Sequence, residues 1–151
     1  MDQAQTTEAE AGSTAFRPVL SGMVSILAVD DDPIQREFSV VYLSTPTAEV
    51  HVAASAEEGL AFLDGRHIDL ALIDMEMPGM GGVEMVRRLR ADPRFAEMPI
   101  MMITGHEDMA SIDAAYDAGA TAFMAKPVNW RILAYHLRFL LRAQAAISRQ
   151  G

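Results

Sequence analysis

With 151 residues, half of them hydrophobic and 22% charged, the chain has the size and composition of one globular domain with a proper core. It contains no cysteine, which excludes disulfides and thiolate metal sites, and its net charge of −9 argues against a general nucleic-acid-binding surface. No apolar stretch approaches the ~20 residues of a membrane span, and the N-terminus carries acids where a signal peptide has a basic cluster, so a soluble, cytoplasmic protein is expected.

Residues 1 to 22 show no hydrophobic periodicity and are expected to form a disordered tail, leaving 23 to 151 as the folded domain. Val24 to Val29 predicts a strand that ends in Asp30, Asp31, Asp32 and Pro33. Asp32 before Pro33, with Gln35 at the third helical position, has the pattern of a capping box and starts a helix running to about Leu43. Asp32 thus has a structural task, whereas Asp30 and Asp31 have none that the sequence reveals. Glu49 to Ala54 alternates as a second strand, and Ser55 to Glu58 is a capping box opening a helix that Gly65 closes. The apolar run Leu70 to Ile73 ends in Asp74, followed by a turn built from Pro78, Gly79, Gly81 and Gly82 and a helix from Val83 to Ala91. Pro99 to Thr104 is a strand, Met109 to Ala118 a helix stopped by Gly119, Ala122 to Lys126 a strand, and a long helix starts near Asn129. Five strand and helix alternations with short connections predict a doubly wound α/β fold, a five-stranded parallel sheet covered on both faces.

Taken alone, Asp74 reads as an ordinary turn-capping acid. Four strand ends carry polar groups, however: Asp30 and Asp31 after the first strand, Asp74 after the third, Thr104 after the fourth and Lys126 after the fifth. Ligand sites of open parallel sheets lie at such carboxyl ends. Three carboxylates gathered there repel one another unless a cation neutralises them, and an all-oxygen ligand set suits Mg²⁺ or Mn²⁺. A hydroxyl and an ammonium facing that metal make a phosphoryl clamp, and the remaining carboxylate can be the nucleophile that accepts the group. His51 and His67 read as surface or strand-edge residues, and the eleven methionines as packing.

From Val24 to Arg142 the chain resembles a receiver domain of the two-component response regulators. The resemblance is carried by Ile26 to Pro33, Leu72 to Gly82, Met102 to Gly105 and Phe123 to Pro127, four pieces in receiver-like order and spacing. It implies a flavodoxin-like fold with strand order 2-1-3-4-5 and an extended C-terminal helix. It implies that Asp74 is the phosphoacceptor and that Asp30 and Asp31 hold Mg²⁺ with it, the backbone carbonyl of Glu76 being a further ligand. Lys126 then pairs with the phosphoryl group, Thr104 moves to bind it, and the Lys126-Pro127 bond is cis. Phe123 occupies the switch-aromatic position, and the Glu76 and His106 side chains flank the path of attacking water and tune dephosphorylation. The phosphoryl donor is a histidine kinase or a histidine phosphotransfer protein.

The last helix carries two apolar stripes. Trp130, Leu133, Leu137, Leu140 and Leu141 make the face that covers the sheet, while Ile132, Tyr135, Phe139, Ala143 and Ala146 make a second stripe beside Arg131, Arg138, Arg142 and Arg149. The resemblance implies a partner surface there: receivers pair through helix 4, strand 5 and helix 5, and the Arg138 side would meet acids such as Glu107, Asp108 or Asp113 of a second copy. The Leu140 to Gln144 ending resembles the exit helix that joins receivers to cyclic-dinucleotide modules. No output module follows Gly151 in this sequence, which leaves a stand-alone receiver and a segment of a longer regulator both open. A haloacid-dehalogenase-like phosphohydrolase is the competing enzyme reading, but it needs acids beyond the lysine and none follows Lys126. An unphosphorylated pseudo-receiver is the third, against which the intact set of Asp30, Asp31, Asp74, Thr104 and Lys126 speaks.

Overall fold

The computed structural model describes residues 23–150. The expected tail therefore lies outside the described residues, as does the Arg149 side chain. In chain order the elements are β1 (Val24–Val29), α1 (Pro33–Leu43), β2 (Ala48–Ala53), α2 (Ala56–Leu63), β3 (Leu70–Asp74) and α3 (Gly82–Ala91). A 3₁₀ turn (Pro93–Phe95), β4 (Ile100–Thr104), α4 (Met109–Ala118), β5 (Ala122–Ala125) and α5 (Trp130–Gln150) complete the chain. The five strands form one sheet in the order β2-β1-β3-β4-β5, every pair parallel, as in flavodoxin-like folds.

Strands β3 and β4 are buried at all five positions, which is why they read as unbroken apolar runs. Alternate residues of each strand serve opposite layers. Leu27, Val29, Ala71, Ile73 and Met102 pack under α2, α3 and α4. Ile26, Ala28, Leu70, Leu72 and Ile103 pack under Leu43 of α1 and Leu133, Ala134, Leu137 and Leu141 of α5. Trp130 and Leu140, expected on that face, lie at its edge and are only partly buried. Of the methionines expected to be packing, Met85, Met98, Met101 and Met102 are buried in the core, whereas Met23 and Met109 are exposed.

Two helix starts differ from the capping-box expectation. Asp32 caps α1 by accepting from the Ile34 N–H at 2.9 Å, and its own N–H, which the box would give to Gln35, goes to Asp30 Oδ1 at 2.9 Å. Asp30 thus has a structural task that the sequence did not reveal. At α2, Ser55 Oγ accepts from Glu58 N–H as expected, but Glu58 Oε1 takes the Ala54 N–H at 2.7 Å, one residue earlier than the box requires. Gly119 ends α4 with φ +114°, leaving the Arg90 side chain room to cross beneath it. Arg90 donates to the carbonyls of Gly119 and Phe95, both at 2.8 Å, and to Thr121 Oγ1 at 3.3 Å. This fork ties α3, the 3₁₀ turn and the start of β5 together.

Candidate functional site

Parallel pairing with the register Val29 opposite Ile73, Asp74 opposite Ile103 and Thr104 opposite Ala125 aligns the carboxyl ends of β1, β3, β4 and β5 on one edge of the sheet. Asp30 and Asp31 leave β1 there, Asp74 closes β3, Thr104 closes β4, and Lys126 follows β5, one residue beyond the strand's observed end. The Lys126 N–H donates to the Thr104 carbonyl at 2.7 Å, which holds the lysine against the site, and the Lys126-Pro127 bond is cis.

Asp30, Asp31 and Asp74 each offer a carboxylate oxygen within 4.8 Å of the others. Asp74 is 2% exposed, and neither of its carboxylate oxygens accepts a hydrogen bond among the described residues. Among the described residues the cation paired with it is Lys126, whose Nζ lies 3.1 Å from Oδ1. Burial pushes the Asp74 carboxyl up to about 7, the Lys126 ammonium working against that rise and Asp30 adding to it. Burial likewise raises Asp30, opposed by the Asp32 N–H and by Lys126. For Lys126 burial works downward, but the Asp74 pairing together with the Asp30 and Glu76 charges outweighs it, and the ammonium is held above its ordinary range. A buried carboxylate with a single ammonium for partner, beside two further acids, is costly, and a divalent cation with oxygen preference fits that donor set.

The Glu76 side chain, expected only to flank the site, is joined to it. Its Oε2 accepts from the Thr104 hydroxyl at 2.7 Å and its Oε1 from the Gly105 N–H at 3.0 Å. The His106 imidazole is exposed, and the residue reaches the site through its backbone N–H, which donates to Thr104 Oγ1 at 2.9 Å. Phe123 is half-buried against the core with its ring edge-on to Tyr116, 6.1 Å between centroids. Gly82 is a site-shaping residue that sequence reasoning read only as part of a turn: a Cβ there would collide with the Asp74 carbonyl oxygen and the Met75 Cα. The glycine cluster was the available signal, but which of its members lies against Asp74 depends on the fold.

The second apolar stripe of α5 faces solvent, with Ile132 48%, Tyr135 45% and Phe139 65% exposed, so one sheet face does not consume it. Arg138 lies over the Tyr135 ring at 5.3 Å. Asp108 has a task within its own helix, capping α4 through the Ser111 N–H at 3.1 Å. His51 pairs with Glu49, and His67 with Asp69, each at 2.9 Å and away from the acidic cluster.

Residues 26–138 match the family model for the response regulator receiver domain. The chain belongs to that family. The transcriptional regulatory protein AfsQ1 of Streptomyces coelicolor is 33% identical over 120 residues, covering 80% of this receiver and 52% of AfsQ1. The heme response regulator HssR of Staphylococcus epidermidis is 28% identical over the same shares. This receiver therefore spans about half the length of the curated relatives it matches. Among solved structures, a CheY-like receiver domain protein from Methanospirillum hungatei superposes with TM-score 0.77 at 32% identity, covering 86% of this chain and 100% of that one. The chemotaxis protein CheY4 of Vibrio cholerae does so with TM-score 0.75 at 30% identity, covering 79% and 99%. The domain is a phosphoacceptor of two-component signalling and works as a switch. No helix among the described residues is long and apolar enough to cross a membrane.

Proposed function

We propose that Asp74 is the residue on which this receiver is phosphorylated, on the strength of one observation: a buried carboxylate sits 3.1 Å from Lys126 and within reach of Asp30 and Asp31. A histidine kinase or phosphotransfer protein presents phosphohistidine. One Asp74 oxygen attacks phosphorus in line; the new P–O bond forms as the P–N bond to the imidazole breaks, and the released imidazole takes up a proton. Lys126, already paired with Asp74, stays to neutralise the transferred group. Asp30, Asp31 and Asp74, with the backbone carbonyl of Glu76, would hold Mg²⁺ or Mn²⁺, which when bound adds positive charge against the phosphoryl oxygens. The same residues catalyse loss of the group to water, so the chain modifies itself and turns over no other substrate.

Thr104 and Phe123 then move and remodel the α4-β5-α5 surface, where Ile132, Tyr135, Phe139 and Arg138 meet a partner or a second copy. The receiver comprises residues 23 to 151 with the extended α5 and acts in the cytoplasm. Intact-mass analysis after incubation with acetyl phosphate and Mg²⁺ tests the central assignment. Wild type should gain one phosphoryl group and Asp74→Asn none; a bare wild type, or an equal adduct on the variant, overturns it.

A further inference from the structure

The Thr104 hydroxyl is almost fully buried and already committed. Its oxygen accepts from the His106 N–H at 2.9 Å, and its one proton goes to Glu76 Oε2 at 2.7 Å, a better acceptor than the His106 carbonyl at 3.2 Å. The second Glu76 oxygen takes the Gly105 N–H at 3.0 Å, so one carboxylate spans two consecutive residues of the β4-α4 loop. Glu76 itself stands two residues beyond Asp74 on the β3-α3 loop. The phosphoacceptor loop and the loop that leads into α4 are therefore fastened by a pair of charge-assisted hydrogen bonds, a stronger class than neutral ones.

We propose that Glu76 is a latch on the switch: its carboxylate holds the Thr104 hydroxyl and the Gly105 amide in the unphosphorylated receiver, and phosphorylation at Asp74 must win Thr104 away from it. The proposal rests on Asp74 being the phosphoacceptor and adds what the arriving group competes against. Both acceptors are anionic oxygens, so the outcome is set by their difference and not by the strength of either bond. Once Thr104 turns to the phosphoryl group, Glu76 keeps only Gly105, and two neighbouring anions repel it from that position. Release then frees residues 105 to 108, which end at Asp108, the cap of α4. Glu76 is thus a positioning residue that sets how completely the modification is converted into movement of α4.

The test uses the full chain with Glu76→Ala, Glu76→Gln and Glu76→Asp. In unphosphorylated protein, hydrogen exchange at the Gly105 amide should accelerate roughly tenfold to a hundredfold in Glu76→Ala, the loss expected for a hydrogen bond to a charged group. Glu76→Gln should fall between, since its carbonyl oxygen still accepts one donor. Glu76→Asp should resemble Glu76→Ala, because a side chain one methylene shorter does not span both donors. In beryllofluoride-loaded protein, the ratio of switched to unswitched conformer, read from amide shifts of α4 and β5, should rise roughly tenfold in Glu76→Ala. Unchanged Gly105 exchange overturns the latch, and so does altered exchange with an unchanged conformer ratio. The exchange measurement needs no modification at Asp74, so it judges the latch separately from the phosphoacceptor assignment, which falls by itself if wild type takes up no phosphoryl group.

Discussion

Replacing Asp74 with Asn should stabilise the metal-free protein above neutral pH, although it removes the residue on which the function turns. The carboxyl is raised from 3.8 to about 7 in the folded state. A rise of about three units, at about 1.36 kcal/mol each, makes ionised Asp74 a burden of roughly 4 kcal/mol on the fold. Below the unfolded value both states are protonated and the burden is absent. Between there and about 7 the unfolded chain has lost its proton and the folded one keeps it, so stability falls as pH rises; above 7 the full burden persists. Asn escapes it, and the lost 3.1 Å pairing with Lys126 calls for no further deduction, because the raised value already includes the pull of that ammonium. The gain of roughly 4 kcal/mol corresponds to a melting temperature higher by about 8 to 16 °C at pH 8 in EDTA, closing to near zero at pH 4. Calorimetric melts of both proteins across that range in EDTA measure it. Adding Mg²⁺ at about a hundred times its Kd should return about 2.7 kcal/mol to wild type and much less to the variant. An Asn variant no more stable than wild type at pH 8, or parallel pH profiles for the two proteins, would refute the claim that burial strains this carboxylate.

Substitutions at three further positions probe the scaffold. Leu137→Ala removes a fully buried α5 side chain and should lower urea stability by about 2 to 5 kcal/mol with an unchanged m-value. Arg90→Ala strips the Gly119 and Phe95 carbonyls and Thr121 of their shared donor and should cost roughly 2 to 3 kcal/mol; in the same melts Arg90→Lys should recover less than half, since a point charge cannot reproduce the fork. Gly82→Ala drives a methyl into the backbone of Asp74 and Met75, so it should cost about 1 to 3 kcal/mol and also slow acetyl phosphate labelling of Asp74 by roughly tenfold or more. Labelling at the wild-type rate would show that the loop accommodates a Cβ without moving the acceptor.

Strand and helix alternation, the helix stops at Gly65 and Gly119, and the four polar strand ends were legible because each depends on a short window of chain. Burial on both faces leaves a continuous apolar run, and a residue that must reach φ above zero is written as glycine. Capping was only half legible. Ser55 and Asp32 were recognisable as caps, but the partners of their reciprocal bonds, Ala54 for Glu58 and Asp30 for the Asp32 amide, were chosen by how the loops fold over the sheet edge. The α5 wheel likewise separated the Leu133 and Leu137 face from the Tyr135 and Phe139 stripe, while Trp130 and Leu140 were placed too deep, because helix geometry says which residues share a face and not how far the sheet extends beneath it.

What this sequence determined by itself was the identity of the groups at the sheet's carboxyl edge, since a residue closing a strand in a parallel sheet must emerge there whatever its neighbours are. What only the tertiary structure decided was how those groups answer one another. Asp74 becomes a strained acid because β3 is the central strand and water is excluded from it, and Glu76 reaches Thr104 because two loops 28 residues apart in the chain are neighbours across the β3-β4 pair. Side-chain hydrogen bonds between distant loops have no periodicity to read; they depend on distances that exist only after the sheet has closed its register.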